Sequence, residues 1–444
     1  MRLDQLLLRN LSQHRVSSGL TALNVALGAL LVATVLLLRA ATADAFLEPS
    51  RGFSLVVGAP GSGLSLVLSS VFHMGKSPGL LEYEAFEELE RNPSTQLAVP
   101  YAVGDAFRGF RVVGTTDAFF DPRFPYPRAD TKEGKLASGR AFHFDREGLR
   151  AALSGIERAA RAREPGAAPE AKLEEGAQHA ASPDEAVVGS EVAAALDVRV
   201  GDRIEPTHGV EGGGTAHREP RLWQVVGILR STRTPIDDLV LINLDSFFRI
   251  DDHRGGVVPE SGKPAISSVL LFPKPGVHKA LLLSQLGKRT ALQVADVDAE
   301  VRGLLRLVGS VDRIFFGIAV LVVLVGILSV AVAIYNTLDA RRRELAILRI
   351  LGARRRTVFG LLVGEATLLS AIGGAIGFAG GHLVVSVAAG LIERSAGFRP
   401  TALVLLPEEL LAYALVVVAG ALGGLLPAFK AYQTDPASRL LPST

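Results

Sequence analysis

Four long stretches with almost no charge constrain what this chain can fold into. Ser18–Leu38, Ile314–Leu338 and Leu410–Phe429 contain no Asp, Glu, Lys or Arg, and Thr357–Ile392 contains only Glu365 and His382 as titratable groups. A helix needs ~20 mainly apolar residues to cross the hydrocarbon core of a bilayer, and each stretch is that long. The sequence therefore predicts an α-helical membrane protein with four transmembrane helices, at residues 18–40, 313–338, 357–392 and 410–429.

The distribution of basic residues predicts the orientation of these helices. Loops rich in Lys and Arg are retained on the cytoplasmic side of a membrane. Seven arginines lie in Arg341–Arg356, between the second and third helices, and Arg2, Arg9 and Arg15 precede or begin the first. Both termini are therefore predicted to be cytoplasmic. Residues 1–17 are predicted to form an amphipathic helix, residues 393–409 an outer loop and residues 430–444 a cytoplasmic tail.

Residues 41–312 are then predicted to form a large extracytoplasmic domain, divided into two subdomains. Short strand and helix patterns are mixed along it, which predicts an α+β fold. Glu164–Pro183 has almost no large apolar residues and is predicted to be a mobile linker. The chain has no cysteine, which is compatible with a bacterial envelope. The predicted strands are 53–57, 97–103, 107–115, 222–229, 239–243 and 269–272, with a turn at Gly104-Asp105; the predicted helices are 81–91, 146–163, 191–196 and 277–286.

No group of residues predicts catalysis. Gly58–Gly63 is rich in glycine and follows a predicted strand, but Leu64 and Ser65 follow it where a phosphate-binding loop needs Lys and Ser/Thr. There is no cysteine nucleophile and no His-Glu-x-x-His motif. Histidines are scattered without metal-ligand spacing. We therefore predict no catalytic, cofactor-binding or metal site, and no binding of nucleic acid, because the arginines are concentrated in one loop beside the membrane.

The arginine-rich segment 339–356 has its own pattern. Leu345, Leu348 and Leu351 recur at intervals of three residues, and Gly352 follows them. This pattern predicts a short helix with one apolar stripe that ends at the glycine. A basic, half-apolar helix just beneath the membrane is suited to docking on a soluble partner.

Two further features lie within the predicted spans. Glu365 is either a functional intramembrane carboxylate or an interfacial one paired with a nearby arginine. Gly373, Gly377 and Gly381 form a stripe at four-residue spacing on the third span, as do Gly420 and Gly424 on the fourth. Such stripes allow helices to approach closely, either within one chain or between two copies.

These motifs resemble a known family. The segment Arg342-Arg343-Glu344-Leu345-Ala-Ile-Leu348-Arg349-Ile-Leu-Gly352, followed by Glu365, is similar to the hallmark of the MacB/FtsX-type ABC permeases. Residues 187–202, 223–229 and 427–436 resemble other parts of that family. The resemblance implies that Arg343, Glu344, Leu345, Leu348, Arg349 and Gly352 couple the chain to an ATPase.

The resemblance also implies a function and partners. It implies a non-catalytic permease subunit in the bacterial inner membrane with a large periplasmic domain. Two copies of a separate ATPase, a second permease copy or paralogue, membrane lipid, and an adaptor or lipoprotein are the implied partners. The implied activity is export or extraction of a hydrophobic, peptide or lipoprotein substrate, as in the MacB and lipoprotein-releasing branches. The alternative is an FtsX-like signalling scaffold that activates a cell-wall hydrolase in the periplasm.

The segment Val297–Val311 leads into the second span without a proline. We therefore expect one continuous helix that joins the extracytoplasmic domain to the membrane, with Gly303 and Gly309 as its weakest points.

Overall fold

The chain is divided into two compact units. In the computed structural model, Met1–Asp44 and Arg306–Thr444 form a helical unit, and Ala45–Leu305 form an α/β unit. The structure describes residues 15–126, 134–162, 183–209, 222–232, 234–250, 258, 261–289, 291–350, 354–396 and 400–433.

The described residues form helices and short strands in an order that alternates repeatedly within the α/β unit. The elements are, in chain order, α1 (Arg15–Ser50), β1 (Leu55–Gly58), α2 (Gly63–Ser70), β2 (Leu81–Glu82), α3 (Tyr83–Arg91), β3 (Thr95–Phe107), β4 (Phe110–Thr115), β5 (Leu136–Gly139), α4 (Arg146–Ala162), β6 (Glu185–Val188), α5 (Ser190–Leu196), β7 (Arg203–Ile204), β8 (Thr207–His208), β9 (Trp223–Leu229), β10 (Leu239–Asn243), α6 (Leu244–Phe248), β11 (Ala265–Ile266), β12 (Ser268–Pro273), α7 (Lys279–Leu286), β13 (Gln293–Asp296), α8 (Val297–Ile350), α9 (Arg355–Ala396) and α10 (Pro407–Gln433).

Within the described residues, four helices are long and apolar enough to cross a membrane, as predicted. The candidate spans are Ser18–Ser50, Arg313–Val332, Arg355–Ile392 and Pro407–Lys430. The first helix continues ten residues past its predicted end at residue 40, because Ala41, Ala43, Ala45 and Leu47 are good helix formers and the acidic residues among them, Asp44 and Glu48, do not stop a helix. It ends at Ser50, two residues before Gly52, which has positive φ.

The α/β unit is built on a mixed sheet. Its strands lie in the order β13-β1-β12-β3-β4-β10-β6-β9-β5, with β7 beside β9, β8 beside β3, and a separate pair of β11 and β2. The β10–β4 and β6–β9 pairs are parallel and the other pairs are antiparallel. Every residue of β10 and β6 is buried, so both faces of the sheet centre are covered. The predicted α+β domain is therefore a mixed α/β fold.

The prediction of a turn at Gly104-Asp105 is wrong. One strand, β3, runs through these residues with a bulge between Val103 and Asp105. The chain instead turns at Arg108-Gly109, where both residues have positive φ. A bulge accommodates glycine inside a strand, whereas a two-residue hairpin needs positive φ at its centre. Asp105 looks like a turn residue in sequence, but its side chain is fully buried.

Some predictions lie outside the described residues. These are residues 1–14 of the predicted amphipathic helix, residues 164–182 of the predicted linker, and the tail from residue 434. The mobility of the linker and the division of residues 41–312 into two subdomains stay predictions.

Candidate functional site

The longest helix, α8, is rooted in the sheet of the α/β unit. It begins directly after β13, and the Asp296 carboxylate accepts hydrogen bonds from the backbone N–H groups of Asp298 at 3.1 Å and Ala299 at 3.3 Å. This is the geometry of a helix N-cap. Val297 and Val301 are buried, and the Val297 N–H donates to the Ser54 carbonyl. The first turn of α8 is therefore fixed to the sheet by its cap, its backbone and its apolar side chains.

Lys279 of α7 strengthens this root. Its Nζ donates to Asp296 Oδ1 and to Asp298 Oδ2, each at 2.7 Å. Partial burial opposes the charge of this lysine, but the hydrogen bonds to the two carboxylates outweigh it and raise its pKa above the usual value. The pair of aspartates also places negative charge at the positive end of the helix dipole.

No break interrupts α8 between its root and the arginine-rich segment. The helix runs from Val297 to Ile350 and includes Gly303 and Gly309, which confirms the predicted continuity. Within the helical unit, Val330 and Ile334 of α8 are buried in a cluster with Val25, Leu362 and Val416. One helix therefore includes the turn that is fixed to the sheet, the residues buried in the helical unit and part of the segment predicted to bind a partner.

The predicted coupling residues lie at the end of this same helix. Arg343, Glu344, Leu345, Leu348 and Arg349 are all on its helical backbone, whereas Gly352 lies outside the described residues. Helix α9 begins at Arg355. The prediction of a separate short helix at 339–356 therefore differs from the structure, because the helix of the second span continues without a turn through Arg341–Arg343 and Arg349 to Ile350.

Glu365 lies inside the helical bundle. It is 4% exposed, and the adjacent Ala366 belongs to the buried cluster around Val330. The Glu365 side chain is therefore enclosed by protein, and the choice between a functional carboxylate and one paired with a nearby arginine stays a prediction.

The glycine stripe on α9 packs against α1 of the same chain. A Cβ added at Gly373 would lie 2.6 Å from the Ala22 carbonyl oxygen, and one added at Gly381 would lie 2.6 Å from the Ala33 Cβ. A Cβ at Gly377 would collide with the Ala26 carbonyl oxygen. The structure therefore assigns the stripe to packing within one chain.

The glycines of α10 pack against α9 in a similar way. A Cβ at Gly424 would lie 2.5 Å from the Ala366 Cβ, and one at Gly420 would collide with Ser370. In the same interface the Tyr413 hydroxyl donates to the Ala371 carbonyl at 3.2 Å. The close contact holds Ala366, and with it the segment around Glu365, against the fourth span.

Sequence reasoning missed a polar pair where α9 and α10 approach each other at the end of the bundle that contains Pro407. The His382 ring contacts the Ala402 carbonyl through Nδ1, and its Nε2 lies 3.3 Å from Glu409 Oε1. Glu409 is 2% exposed, and its Oε2 accepts from the Leu406 N–H at 3.0 Å. Two sequence features could have indicated this pair: a lone histidine in an apolar span, and a glutamate two residues after Pro407, where a helix begins.

Sequence reasoning also passed over a Gly-Lys-Ser triplet at Gly75–Ser77. In a phosphate-binding loop such a triplet opens a helix. Here it follows the end of α2, and the Ser77 hydroxyl donates to the Gly79 and Ser267 carbonyls. The triplet is therefore a loop that is tied to the sheet region, and it does not have the geometry of a nucleotide site.

The C-terminal part of the chain is similar to known proteins. Residues 316–436 match the model of the family described as FtsX-like permease C-terminal. The pyoverdine export ATP-binding/permease protein PvdT of Pseudomonas putida is 33% identical over 135 residues, 30% of this chain and 20% of that protein. The macrolide export ATP-binding/permease protein MacB of Marinobacter nauticus is 37% identical over 123 residues, 28% of this chain and 18% of that protein. The match thus spans about a fifth of the length of these relatives.

Other similarities cover a larger share of the chain. An uncharacterized ABC transporter permease of Methanocaldococcus jannaschii is 24% identical over 253 residues, 52% of this chain and 61% of that protein. Among solved structures, the periplasmic region of MacB from Actinobacillus actinomycetemcomitans aligns with 58% of this chain and 97% of its own, at 12% identity and a TM-score of 0.31.

Proposed function

Since the chain belongs to the MacB/FtsX-type ABC transporter permeases, we propose that it is the permease subunit of an ABC system whose ATPase is a separate protein. In this proposal the arginine-rich end of α8 docks on the ATPase. The nucleotide cycle of the ATPase then moves the α/β unit, which handles a hydrophobic, peptide or lipoprotein substrate of the cell envelope.

The proposal includes an orientation and an assembly. Both termini and the arginines of α8 are cytoplasmic, and the α/β unit lies outside the cytoplasmic membrane, as the distribution of Lys and Arg supports. The assembly contains two copies of the ATPase and a second permease, either identical or paralogous. A periplasmic adaptor or lipoprotein joins it where the substrate must travel further.

One observation carries this proposal, namely the continuity of α8. The helix starts at a capped and ion-paired root on the sheet and ends, without a break, among the predicted coupling residues. A continuous α-helix transmits displacement because each backbone N–H is bonded one turn back. A movement imposed at Arg343–Ile350 therefore reaches Val297 mechanically.

A pair of insertions tests this mechanism. Three glycines inserted after Gly309 add a hinge, because each costs ~1 kcal/mol in a helix relative to alanine. Three alanines at the same place change the length and the helical phase equally but keep the helix stiff. We expect both variants to bind the ATPase and support ATP hydrolysis. Nucleotide-dependent changes in hydrogen exchange of the α/β unit should be reduced more by glycine than by alanine.

Equal effects of the two insertions would contradict transmission through a stiff helix. The effect would then have to come from the change in helix length and phase, which both insertions share.

A second experiment tests the docking of the ATPase. Replacing Leu345 and Leu348 with Asp puts charge on the predicted apolar stripe, whereas Ala346→Asp puts charge on another face of the same helix. The double variant should lose the ATPase in affinity purification from membranes, and Ala346→Asp should keep it. Retention of the ATPase by the double variant would contradict the assigned docking site.

A further inference from the structure

Residues 400–406, between α9 and α10, form a loop with an unusual surface. Leu403, Val404 and Leu405 are consecutive and are 92%, 53% and 72% exposed. The residues on either side of them are held inside the helical unit. Ala402 is buried in a cluster with Leu37 and Val385, and Leu406 packs against that cluster. The loop therefore presents an apolar tip from a fixed base.

The base is held by polar contacts as well. His382 of α9 contacts the Ala402 carbonyl, and Glu409 of α10 accepts from the Leu406 N–H. His382 and Glu409 also face each other at 3.3 Å. The two ends of the tip are thus tied to the two helices, so the exposure of Leu403–Leu405 is imposed by the fold and is not the result of a loose connection.

The lengths of the helices place this loop relative to the membrane. Helix α10 has a candidate span of 24 residues, Pro407–Lys430, which is ~36 Å long and only slightly exceeds the ~30 Å hydrocarbon core. Its first residue therefore lies near a membrane surface. Helix α9 has a candidate span of 38 residues, which is ~57 Å long and cannot be contained in the same core.

The loop folds back along this longer helix. Ala402 contacts His382 and packs near Val385, although α9 continues to Ala396. Val385 precedes the end of the helix by eleven residues, or ~16 Å along its axis. The loop base is therefore level with the start of α10, at the membrane surface, and α9 extends beyond it.

The apolar tip continues the lipid-facing surface of these helices. Near the same level, Leu383 and Val387 of α9 are 65% and 77% exposed, and Leu410 and Leu411 of α10 are 66% and 63% exposed. Exposed aliphatic side chains on transmembrane helices face lipid acyl chains. We propose that Leu403, Val404 and Leu405 insert into the boundary between headgroups and acyl chains, as an interfacial anchor that fixes the depth of α9 and α10 in the bilayer.

The boundary between headgroups and acyl chains fits the chemistry of the loop. Interfacial segments place apolar side chains ~5–10 Å into the headgroup and acyl boundary while their polar groups remain satisfied. The described contacts satisfy the Ala402 carbonyl and the Leu406 N–H from within the chain. Exposed Glu408 and Thr401 flank the apolar tip at headgroup level. A bilayer therefore accepts the tip without burying a free charge.

Single cysteines measure the depth of the loop directly, because the chain has no native cysteine. Val404→Cys, Thr401→Cys and Leu415→Cys are each labelled with bimane, and the full chain is reconstituted without partner proteins in nanodiscs containing lipids with a nitroxide at a shallow or a deep acyl position. Shallow nitroxides should quench bimane at position 404 about twice as strongly as at position 401, which is matched for sequence neighbourhood but lies outside the apolar tip. Position 415, two turns into α10, should be quenched best by deep nitroxides.

A second set of variants tests the anchor, in the Val404→Cys background. His382→Ala removes the contact with Ala402, and quenching at position 404 should fall towards the value at position 401. His382→Asn restores a donor near the position of Nδ1 and should restore the quenching. Equal quenching at positions 404 and 401 in the parent chain would overturn the proposal, whether water or another protein surface covers the tip. Unchanged quenching in His382→Ala would overturn the role of His382 alone.

Discussion

At the scale of single residues, side chains with several partners hold the ends of elements in place. Glu185 at the start of β6 accepts two hydrogen bonds from the Arg140 guanidinium and one from the His143 N–H at 2.8 Å. Its side chain is only 6% exposed. Burial opposes the charge, but these hydrogen bonds outweigh it and hold the pKa of the carboxyl below its usual value of 4.5. The charged form of Glu185 therefore stabilises the folded α/β unit.

This contact predicts a pH-dependent effect of Glu185→Gln. A carboxyl whose folded pKa is depressed contributes stability above its unfolded pKa and loses it as the pH falls through the folded value. The variant should be less stable than the parent by ~1–3 kcal/mol at pH 7. The difference should shrink below pH 4.5, because the protonated parent then resembles the amide. Thermal unfolding of the full chain in detergent over this range measures it.

The exposed pair of Asp197 and Arg199 provides the control, since both side chains are more than three-quarters exposed. Asp197→Asn should change the unfolding temperature little at any pH. A constant difference between the parent and Glu185→Gln across the range would show that the hydrogen-bonded carboxylate is not the cause.

The contacts of Lys279 predict how its removal affects the first turn of α8. Lys279→Ala leaves Asp296 and Asp298 without their shared cation, so the first turn of the helix should open more often. Hydrogen exchange at residues 298–305 should become about fivefold faster, which corresponds to a loss of ~1 kcal/mol in local stability. Lys274→Ala, at an exposed position before α7, is the control and should leave this exchange unchanged. Equal protection in both variants would contradict a role for Lys279 at the root.

At the scale of elements, the glycine stripe predicts which glycine of α9 can be replaced by alanine, and a glycine outside the stripe is the control. Gly377 faces the backbone of α1, which cannot move aside as a flexible side chain can. Gly377→Ala should therefore force α1 and α9 apart and cost ~1–3 kcal/mol. Gly390 lies on the same helix with no atom within 4 Å of an added Cβ. Gly390→Ala should be neutral or slightly stabilising, because alanine favours helix more than glycine does.

Thermal unfolding of the purified chain in detergent compares these two variants. A loss of stability in Gly390→Ala equal to that in Gly377→Ala would indicate a general effect of substituting glycine in α9. It would contradict the specific contact with α1.

Single elements also show where sequence patterns predict structure well. Residues 239–243 were predicted to be a strand, and they form β10 with the predicted bounds. The bounds of α4 and α5 lie within one residue of prediction. The turn prediction at Gly104-Asp105 was wrong because the same residue types occur in a bulge inside a strand and in a turn between strands. Pairing with β4 and β12 decided between them.

At the scale of the whole molecule, the orientation in the membrane is the feature most open to test. The chain lacks cysteine, so one introduced cysteine reports one position. Lys274→Cys in the α/β unit should react with a membrane-impermeant maleimide in intact spheroplasts. Ser438→Cys in the predicted cytoplasmic tail should react only after lysis. Reaction of both positions before lysis, or of Ser438→Cys alone, would contradict the predicted orientation.

The sequence by itself determined the number of apolar helices, their approximate bounds and the presence of a mixed α and β region between the first two. These follow from local properties, since hydrophobic length and periodicity are set by residues close together in the chain. It also determined that α8 has no proline to break it, from which the continuity of the helix followed.

Only the tertiary structure decided which surfaces meet. The glycines of α9 permitted a contact with a second copy as well as with α1, and the choice depended on Ala22, Ala26 and Ala33, more than three hundred residues away. The pairing of His382 with Ala402 and Glu409, and the return of the loop that it holds, likewise depend on contacts between separate helices. Such contacts leave no periodic signal in sequence, because the free energy that selects them comes from packing between distant segments and not from any local preference.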